Sequence, residues 1–265
     1  MTSASFAPVL RSYSYWLTVY RRTWRGTIVT GVLSPVMFLA AMGVGLGSLV
    51  KGGSGNAGTD GLTYLQFVAP GLLAATAMQI VSFEATYPVL GSFKWIRNYH
   101  AAAATPLTSS AILAGHLLWM ATRAAMASGI YLAAIAAFGA IRTPLAVLAL
   151  PVCVLVGMAF AAPITAFAGS RDRDSGFAAL QRFIIVPMFL FSGVFFNVTQ
   201  LPAVIRPVAY ITPLWHGVRL TRDLTTGQLE PGAAWQIPLH VLYLAALVAV
   251  GVVIARRVYR DKLAN

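Results

Sequence analysis

Apolar and polar residues in this chain are segregated into long blocks rather than alternating singly. Runs of predominantly apolar residues near 28–50, 62–83, 111–138, 144–168, 177–196 and 237–255 are separated by short polar stretches. At about 1.5 Å of rise per helical residue, each is of the length needed to cross a hydrocarbon core of roughly 30 Å. The pattern predicts an all-α polytopic membrane fold of six spans, with residues 1–265 forming a single transmembrane domain. Two stretches depart from it. In residues 6–25, Phe6, Val9, Leu10, Tyr13, Trp16, Leu17, Tyr20 and Trp24 recur at three- and four-residue spacing beside Arg11, Arg21, Arg22 and Arg25. That reads as an amphipathic helix in the membrane interface, a helix packed on protein being the alternative. In residues 197–222, an apolar stretch is interrupted by Pro202, Pro207 and Pro213. Each proline removes a backbone donor and clashes with the preceding turn, so one regular helix is excluded. The expectation is a re-entrant helix-break-helix, starting at Asn197, that enters the outer leaflet without crossing. Such backbone is tolerated where other protein or a water-filled cavity satisfies it.

Composition supports the membrane reading. The chain is 58% hydrophobic and 10% charged, against about 25% charged residues in a soluble domain. The formal net charge of +12 is dispersed among the loops, which favours topology signals and anionic lipid headgroups over a nucleic-acid groove. With both termini inside, the cytoplasmic segments carry thirteen Lys/Arg and the external ones five, with Arg123 inside a span. That excess predicts cytoplasmic termini. The single cysteine, Cys153, excludes an intramolecular disulfide and a cysteine-based metal cluster. In the first span, Pro35 predicts a kink, and Gly43 with Gly47 gives a spacing suited to close helix approach or to ordinary packing within the chain. Residues 51–61 are read as a flexible external loop.

Catalytic and metal motifs are missing from the sequence. His100, His116, His216 and His240 fall at no metal spacing, and there is no His-Glu-x-x-His. The Gly43–Ser48 run lacks the third glycine of a dinucleotide loop, and no Gly-Lys-Ser/Thr marks a phosphate loop. No active site and no cofactor in this chain are expected. Glu84 at the inner end of the second span and Arg123 in the third are costly in a membrane unless they find partners or water. An ion pair between them, and a snorkelling Arg123 with a solvated Glu84, both remain open. The break near residue 197 occurs once and the halves show no clear repeat, which argues against a secondary carrier built on paired broken helices. An ATP-independent carrier or a structural membrane protein is the alternative class.

Residues 93–108 form a cytoplasmic connection. Lys94 and Arg97 mark its side, Ala101 to Ala104 favour helix, and Thr105-Pro106 stops it. A tyrosine, the alanine run, Thr105-Pro106-Leu107, Gly115 and then Leu118-Trp119 with Thr122-Arg123-Ala124 follow in order. The later set Phe191, Ser192, Gly193, Phe195, Phe196, Leu201, Pro202, Pro213, Leu214, His216, Arg222 and Gly227 is equally ordered. Together these resemble type-2 ATP-binding-cassette (ABC) exporter permeases, most of all the nodulation-factor (lipo-oligosaccharide) and drug exporter branch. The chain departs from many relatives at Asn197, where they carry proline. The resemblance implies that residues 93–108 are the coupling helix, with Arg97, Asn98, Tyr99, His100, Thr105, Pro106 and Leu107 meeting a nucleotide-binding ATPase subunit. It implies a second permease subunit, ATP and Mg on the partner ATPases, and a place in the bacterial inner membrane. Phe195, Phe196, Leu201, Pro202, Pro213, Leu214 and His216 become an external gate, His216 capping or orienting the outer half-helices. Met37, Met78, Met188 and Phe189 are candidate lining residues for a hydrophobic or amphipathic cargo, since flexible methionines suit varied apolar surfaces. Simple lipid contact is the alternative for each.

Overall fold

The computed structural model describes residues 6–41, 61–228 and 235–264, with 26–35 described by backbone alone. Every regular element among these residues is helical. Helix α1 (Ala7–Ala40) leads to α2 (Tyr64–Glu84), which carries Pro70 inside it, and then to α3 (Tyr87–Lys94). Next come the short α4 (Asn98–Ala103) and the long α5 (Ser109–Ala137). A 3-10 turn, Pro144–Leu148, enters α6 (Ala149–Ser170). Helix α7 (Ser175–Leu180) passes through a π turn at Gln181–Ile185 into α8 (Val186–Phe191). The last three are α9 (Arg206–Ile211), α10 (Pro213–Thr226) and α11 (Gln236–Leu263). Among the described residues, four helical segments are long and apolar enough to cross a membrane: Tyr64–Lys94, Ser109–Ala137, Pro144–Ser170 and Gln236–Leu263. Ser175–Phe191 is a shorter apolar helix.

Helix ends follow local chemistry. Thr63 and Gln66 form a capping box on α2: the Gln66 amide donates to Thr63 Oγ1 at 3.3 Å, and the Thr63 amide donates to Gln66 Oε1 at 3.2 Å. Thr108 caps α5 through the Ala111 amide at 3.2 Å.

Helix α6 is the hub, packed against α2, α5, α10 and α11. Small residues set these crossings. A Cβ on Gly251 of α11 would lie 2.6 Å from Pro163 of α6, and one on Gly217 of α10 would lie 2.3 Å from the Val156 side chain. Between apolar helices in lipid, attraction comes from close packing, so such contacts are where small residues are needed. Helix α2 is the most enclosed, with Leu73, Ala74, Met78 and Val81 essentially inaccessible.

Two expectations are revised here. Residues 6–25 and the expected first span are not separate elements, because α1 runs unbroken from Ala7 to Ala40. A single glycine at position 26 costs about 1 kcal/mol relative to alanine, too little to stop a helix. The first half of α1 is laid on α5: Trp16 stacks on His116 at 3.8 Å, and Tyr20 meets Trp119 at 5.3 Å. Phe6, Leu10 and Trp24 stay exposed, so the stripe has one packed face and one free face. The Gly43–Gly47 spacing and the loop up to residue 60 lie outside the described residues. The second revision concerns the break expected at Asn197, which falls earlier, at Ser192–Gly193. Gly193 has φ +79°, a conformation that strains any side-chain-bearing residue. Asn197 instead opens a 3-10 turn, Val198–Gln200, its Oδ1 accepting from the Thr199 amide at 3.2 Å.

Candidate functional site

The residues singled out by sequence gather at opposite ends of the bundle. At one end, α3 closes when the Trp95 and Ile96 amides both donate to the Gly91 carbonyl, at 3.0 and 2.8 Å. Arg97 follows with φ +54°, an uncommon left-handed conformation for a residue with a side chain. It turns the chain sharply into α4. Thr105 and Pro106 end that helix, and Thr108 starts α5. The result is one and a half turns of helix held between two longer ones.

The exposed face of this connection consists of Trp95 (61% exposed), Ile96 (68%), Arg97, His100, Ala101, Ala104, Thr105 and Pro106. Asn98 and Leu107 are half-buried. Tyr99 faces inward: it is 2% exposed, and its ring meets Phe93 and Tyr259 edge-on or tilted at 4.8 and 5.2 Å. Tyr259 of α11 donates to the Tyr99 hydroxyl at 3.0 Å, and that hydroxyl is bonded to His116 Nδ1 of α5. Burial pushes the Tyr99 phenol well above its ordinary range, so its hydroxyl keeps its proton within this network. Tyr99 is thus an anchor joining α4 to two long helices, and it offers no surface to a partner. Trp95 and Ile96 are the contact candidates that sequence reading passed over. Their apolar character next to a charged loop was the available signal.

Beside this loop the charges are linked. Lys262 Nζ donates to Asp172 Oδ1 at 2.8 Å, and Lys94 Nζ donates to the Asp172 carbonyl at 2.9 Å. The hydrogen bond and charge of Lys262, with Lys94 nearby, hold the Asp172 carboxyl below its ordinary range. Deeper in the bundle, Arg123 Nε donates to Glu84 Oε1 at 3.0 Å, and the two side chains are only 14% and 17% exposed. The Arg123 guanidinium also lies 4.9 Å over the Tyr20 ring, so the pair joins α1, α2 and α5. Removing one partner of such an enclosed pair costs about 3 kcal/mol, because the other charge is stranded. Glu84→Arg and Arg123→Glu singly are expected to reduce folded yield strongly, and the double reversal to recover most of it. Strictly additive losses in detergent unfolding would remove the pair from the account.

The opposite end is built around the break. Ser192 and Thr212 share a hydrogen bond at 2.7 Å between their hydroxyls. Thr212 also caps α10, its Oγ1 accepting from the Trp215 amide at 3.3 Å, with Pro213 in the first turn. Arg222 reaches across: Nε donates to the Phe67 carbonyl at 3.2 Å, Nη2 donates to the Gly193 carbonyl at 2.8 Å, and the guanidinium sits 3.9 Å over the Phe67 ring. Thr221 Oγ1 donates to the Pro70 carbonyl at 3.0 Å. Gly227, at φ +73°, terminates α10, as left-handed glycines commonly do.

His216 ties α10 to the last span: its Nδ1 lies 2.7 Å from His240 Nδ1, and its ring stacks on Tyr243 at 4.1 Å. The capping role falls to Thr212. His240 was not singled out by sequence, because only the folded topology brings α10 and α11 side by side. Leu214 and Leu201 are buried, Phe195 and Phe196 half-buried, and Pro202 exposed. Of the candidate lining residues, Met37 is exposed and Met188 half-buried, while Phe189 packs edge-on against Phe195 at 5.1 Å. Met78 is completely enclosed and so faces the core of the chain.

Apolar helices of this length, with a short connecting helix at one end and a proline-broken stretch at the other, define a multi-pass membrane protein. The chain belongs to the ABC-2 type transporter family, whose model matches residues 14–225, and is thereby a permease subunit of an ABC transporter. It is 33% identical over 253 residues to Nodulation protein J of Rhizobium leguminosarum bv. viciae, covering 91% of this chain and 94% of that protein. Nodulation protein J of Rhizobium meliloti (strain 1021) is 33% identical over 223 residues, 80% of this chain and 81% of the relative. The daunorubicin resistance ABC transporter permease protein DrrB1 of Streptomyces coeruleorubidus is 25% identical over 240 residues, 88% of this chain and 80% of the relative.

Proposed function

We propose that this chain is the membrane half of an exporter for a hydrophobic or amphipathic molecule, a lipid-linked saccharide, glycolipid or drug, driven by ATP hydrolysis on separate subunits. Both termini and the 93–108 connection lie on the cytoplasmic side of the bacterial inner membrane, and six spans include α1 and the 175–191 segment. The observation that carries the reading is the connection itself. It presents Trp95 and Ile96 outward while Tyr99 fastens it to α5 and α11. Such a helix transmits a push from below into two spans at once, and an ATPase closing on bound ATP and Mg would supply that push.

One bundle of six spans is too small to enclose a path for a large amphiphile, so two permease subunits flank the pathway. The stretch from Ser192 to Thr226 forms the external gate, braced by Arg222 on α2 and His216 on α11. The kinship with Nodulation protein J and with a drug-resistance permease supports an amphipathic cargo. The test is purification in mild detergent from the native cells. The expected result is a stoichiometric ABC ATPase in the complex and two permease chains. A folded permease that repeatedly emerges without any ATPase would return the function to an ATP-independent carrier or a structural protein.

A further inference from the structure

The strongest unassigned feature is a groove of about 820 Å³ between α6 and the α7–α8 segment, which Pro213 of α10 and Leu247 of α11 also line. Its walls are apolar, with Phe160, Ile164 and Phe167 on one side and Leu180, Phe183 and Met188 on the other. Phe183 is 78% exposed, so this wall looks outward from the chain. At one end the groove opens between Arg171 and Arg173. The Arg171 guanidinium is propped 4.5 Å over the Phe167 ring, at the top of the apolar wall.

The charges at this mouth do not cancel. Asp172 is engaged by Lys262 at 2.8 Å, and Asp174 is the other carboxylate of the loop. The charged residues lining the groove are Arg171, Asp172 and Arg173; with Asp172 held by Lys262 and Lys94 from a neighbouring recess, the two arginines are what the mouth presents. The length also discriminates. From Phe160 to Ser170 is ten positions of helix, roughly 15 Å, which equals about half of a 30 Å hydrocarbon core. An occupant with an anionic head and an apolar tail one leaflet deep matches both features. The volume falls within the range of about 300–1,000 Å³ common for ligand sites.

We infer that this groove binds one anionic phospholipid of the leaflet on the coupling-loop side, its phosphate between Arg171 and Arg173 and an acyl chain lying between α6 and α8. The α7–α8 segment, with its π turn, then rests on a lipid chain in place of a neighbouring helix. That accounts for the exposure of Phe183, Ile184, Val186 and Leu190 along it among the described residues. Only the name of the leaflet rests on the proposed orientation; occupancy is independent of the transport reading.

The experiment is native mass spectrometry of the purified full-length chain, titrated with phosphatidylglycerol or phosphatidylcholine. One phosphatidylglycerol per chain is expected, retained roughly thirty-fold better than phosphatidylcholine, the preference two arginines contribute near anionic headgroups. Arg171→Ala with Arg173→Ala, both on an exposed loop, is expected to bring phosphatidylglycerol down to the level of phosphatidylcholine. Ile164→Trp should abolish the specific adduct by filling the wall. Equal retention of the two lipids by the wild type, or undiminished phosphatidylglycerol on the double arginine variant, overturns the site. So does a lipid-free wild type whose Phe183→Cys variant forms a disulfide-linked dimer, since the groove then belongs to a second copy. Loss of the ATPase from the complex with lipid retention intact would fault the exporter reading and leave this one standing.

Discussion

Trp95→Asp combined with Ile96→Asp is expected to strip the ATPase from the purified complex and reduce ATP-driven transport to background, while membrane insertion and thermal unfolding match the wild type. Both side chains are more than half exposed, and neither takes part in the anchoring of the loop, which runs through Tyr99, His116 and Tyr259. An exposed tryptophan at the centre of a docking surface is the residue type that most often dominates binding, with truncation costing about 2 kcal/mol or more. That alone is roughly a thirty-fold loss of affinity. Placing two carboxylates there adds the cost of burying charge without a partner. Tyr99→Phe is the contrasting variant: it removes a hydroxyl from an enclosed network, so it is expected to lower stability and leave ATPase binding in the folded fraction nearly unchanged. Quantitative co-purification decides the matter. A Trp95/Ile96 double variant that retains its ATPase would separate this loop from the partner interface.

That contrast also measures how far the sequence could be read. Blocks of apolar residues place α2, α5 and α6 to within a few positions, and the start of α11, which runs on past residue 255 to Leu263, because the membrane demands uninterrupted apolar length and the chain has no cheaper way to meet it. The ordered motifs around Tyr99 and from Phe191 to Gly227 mark the two ends of the bundle. What they do not disclose is direction. Tyr99 sits among exposed neighbours in a six-residue helix, too short for periodicity to reveal that it points inward. Residues 6–25 look like a separate amphipathic helix, since their arginines interrupt the apolar pattern, yet nothing in the backbone chemistry stops the helix at Arg25. The prolines that follow Asn197 make it the breaking point in the sequence pattern. The break falls earlier, where Gly193 adopts a positive φ and Ser192 finds a hydroxyl twenty positions later in the chain. Partners at such separations, like His240 for His216, are decided by packing and leave no local trace.

Arg222→Ala is expected to lower the unfolding temperature of the purified protein by roughly 6 to 12 °C and to open the stretch between residues 193 and 212 to protease and thiol reagents. The argument starts from Pro70. A proline inside α2 removes one backbone donor and loosens the carbonyls of the preceding turn, and in a membrane such groups need partners from elsewhere in the protein. Arg222 donates to the Phe67 carbonyl in that turn and, with its other arm, to the carbonyl of Gly193 at the break. Its guanidinium covers the Phe67 ring as well. One side chain therefore closes two backbone irregularities on separate elements and holds them at a fixed separation. Hydrogen bonds from a charged donor contribute about 1.5–3 kcal/mol each, so even with partial compensation by water the loss is about 3 kcal/mol. In a chain of this size each kcal/mol shifts the midpoint by about 2–4 °C, which yields the stated range. Arg222→Lys keeps the charge but not the planar fork, so it can satisfy one carbonyl and not both; it is expected to recover less than half of the lost stability. A melting point within about 1 °C of wild type for the alanine variant, with no gain in protease access, would show that the break is held by Ser192–Thr212 and Thr221–Pro70 alone. The expected result makes Arg222 the brace that holds the non-helical segment after α8 against α2 while α10 remains joined to it.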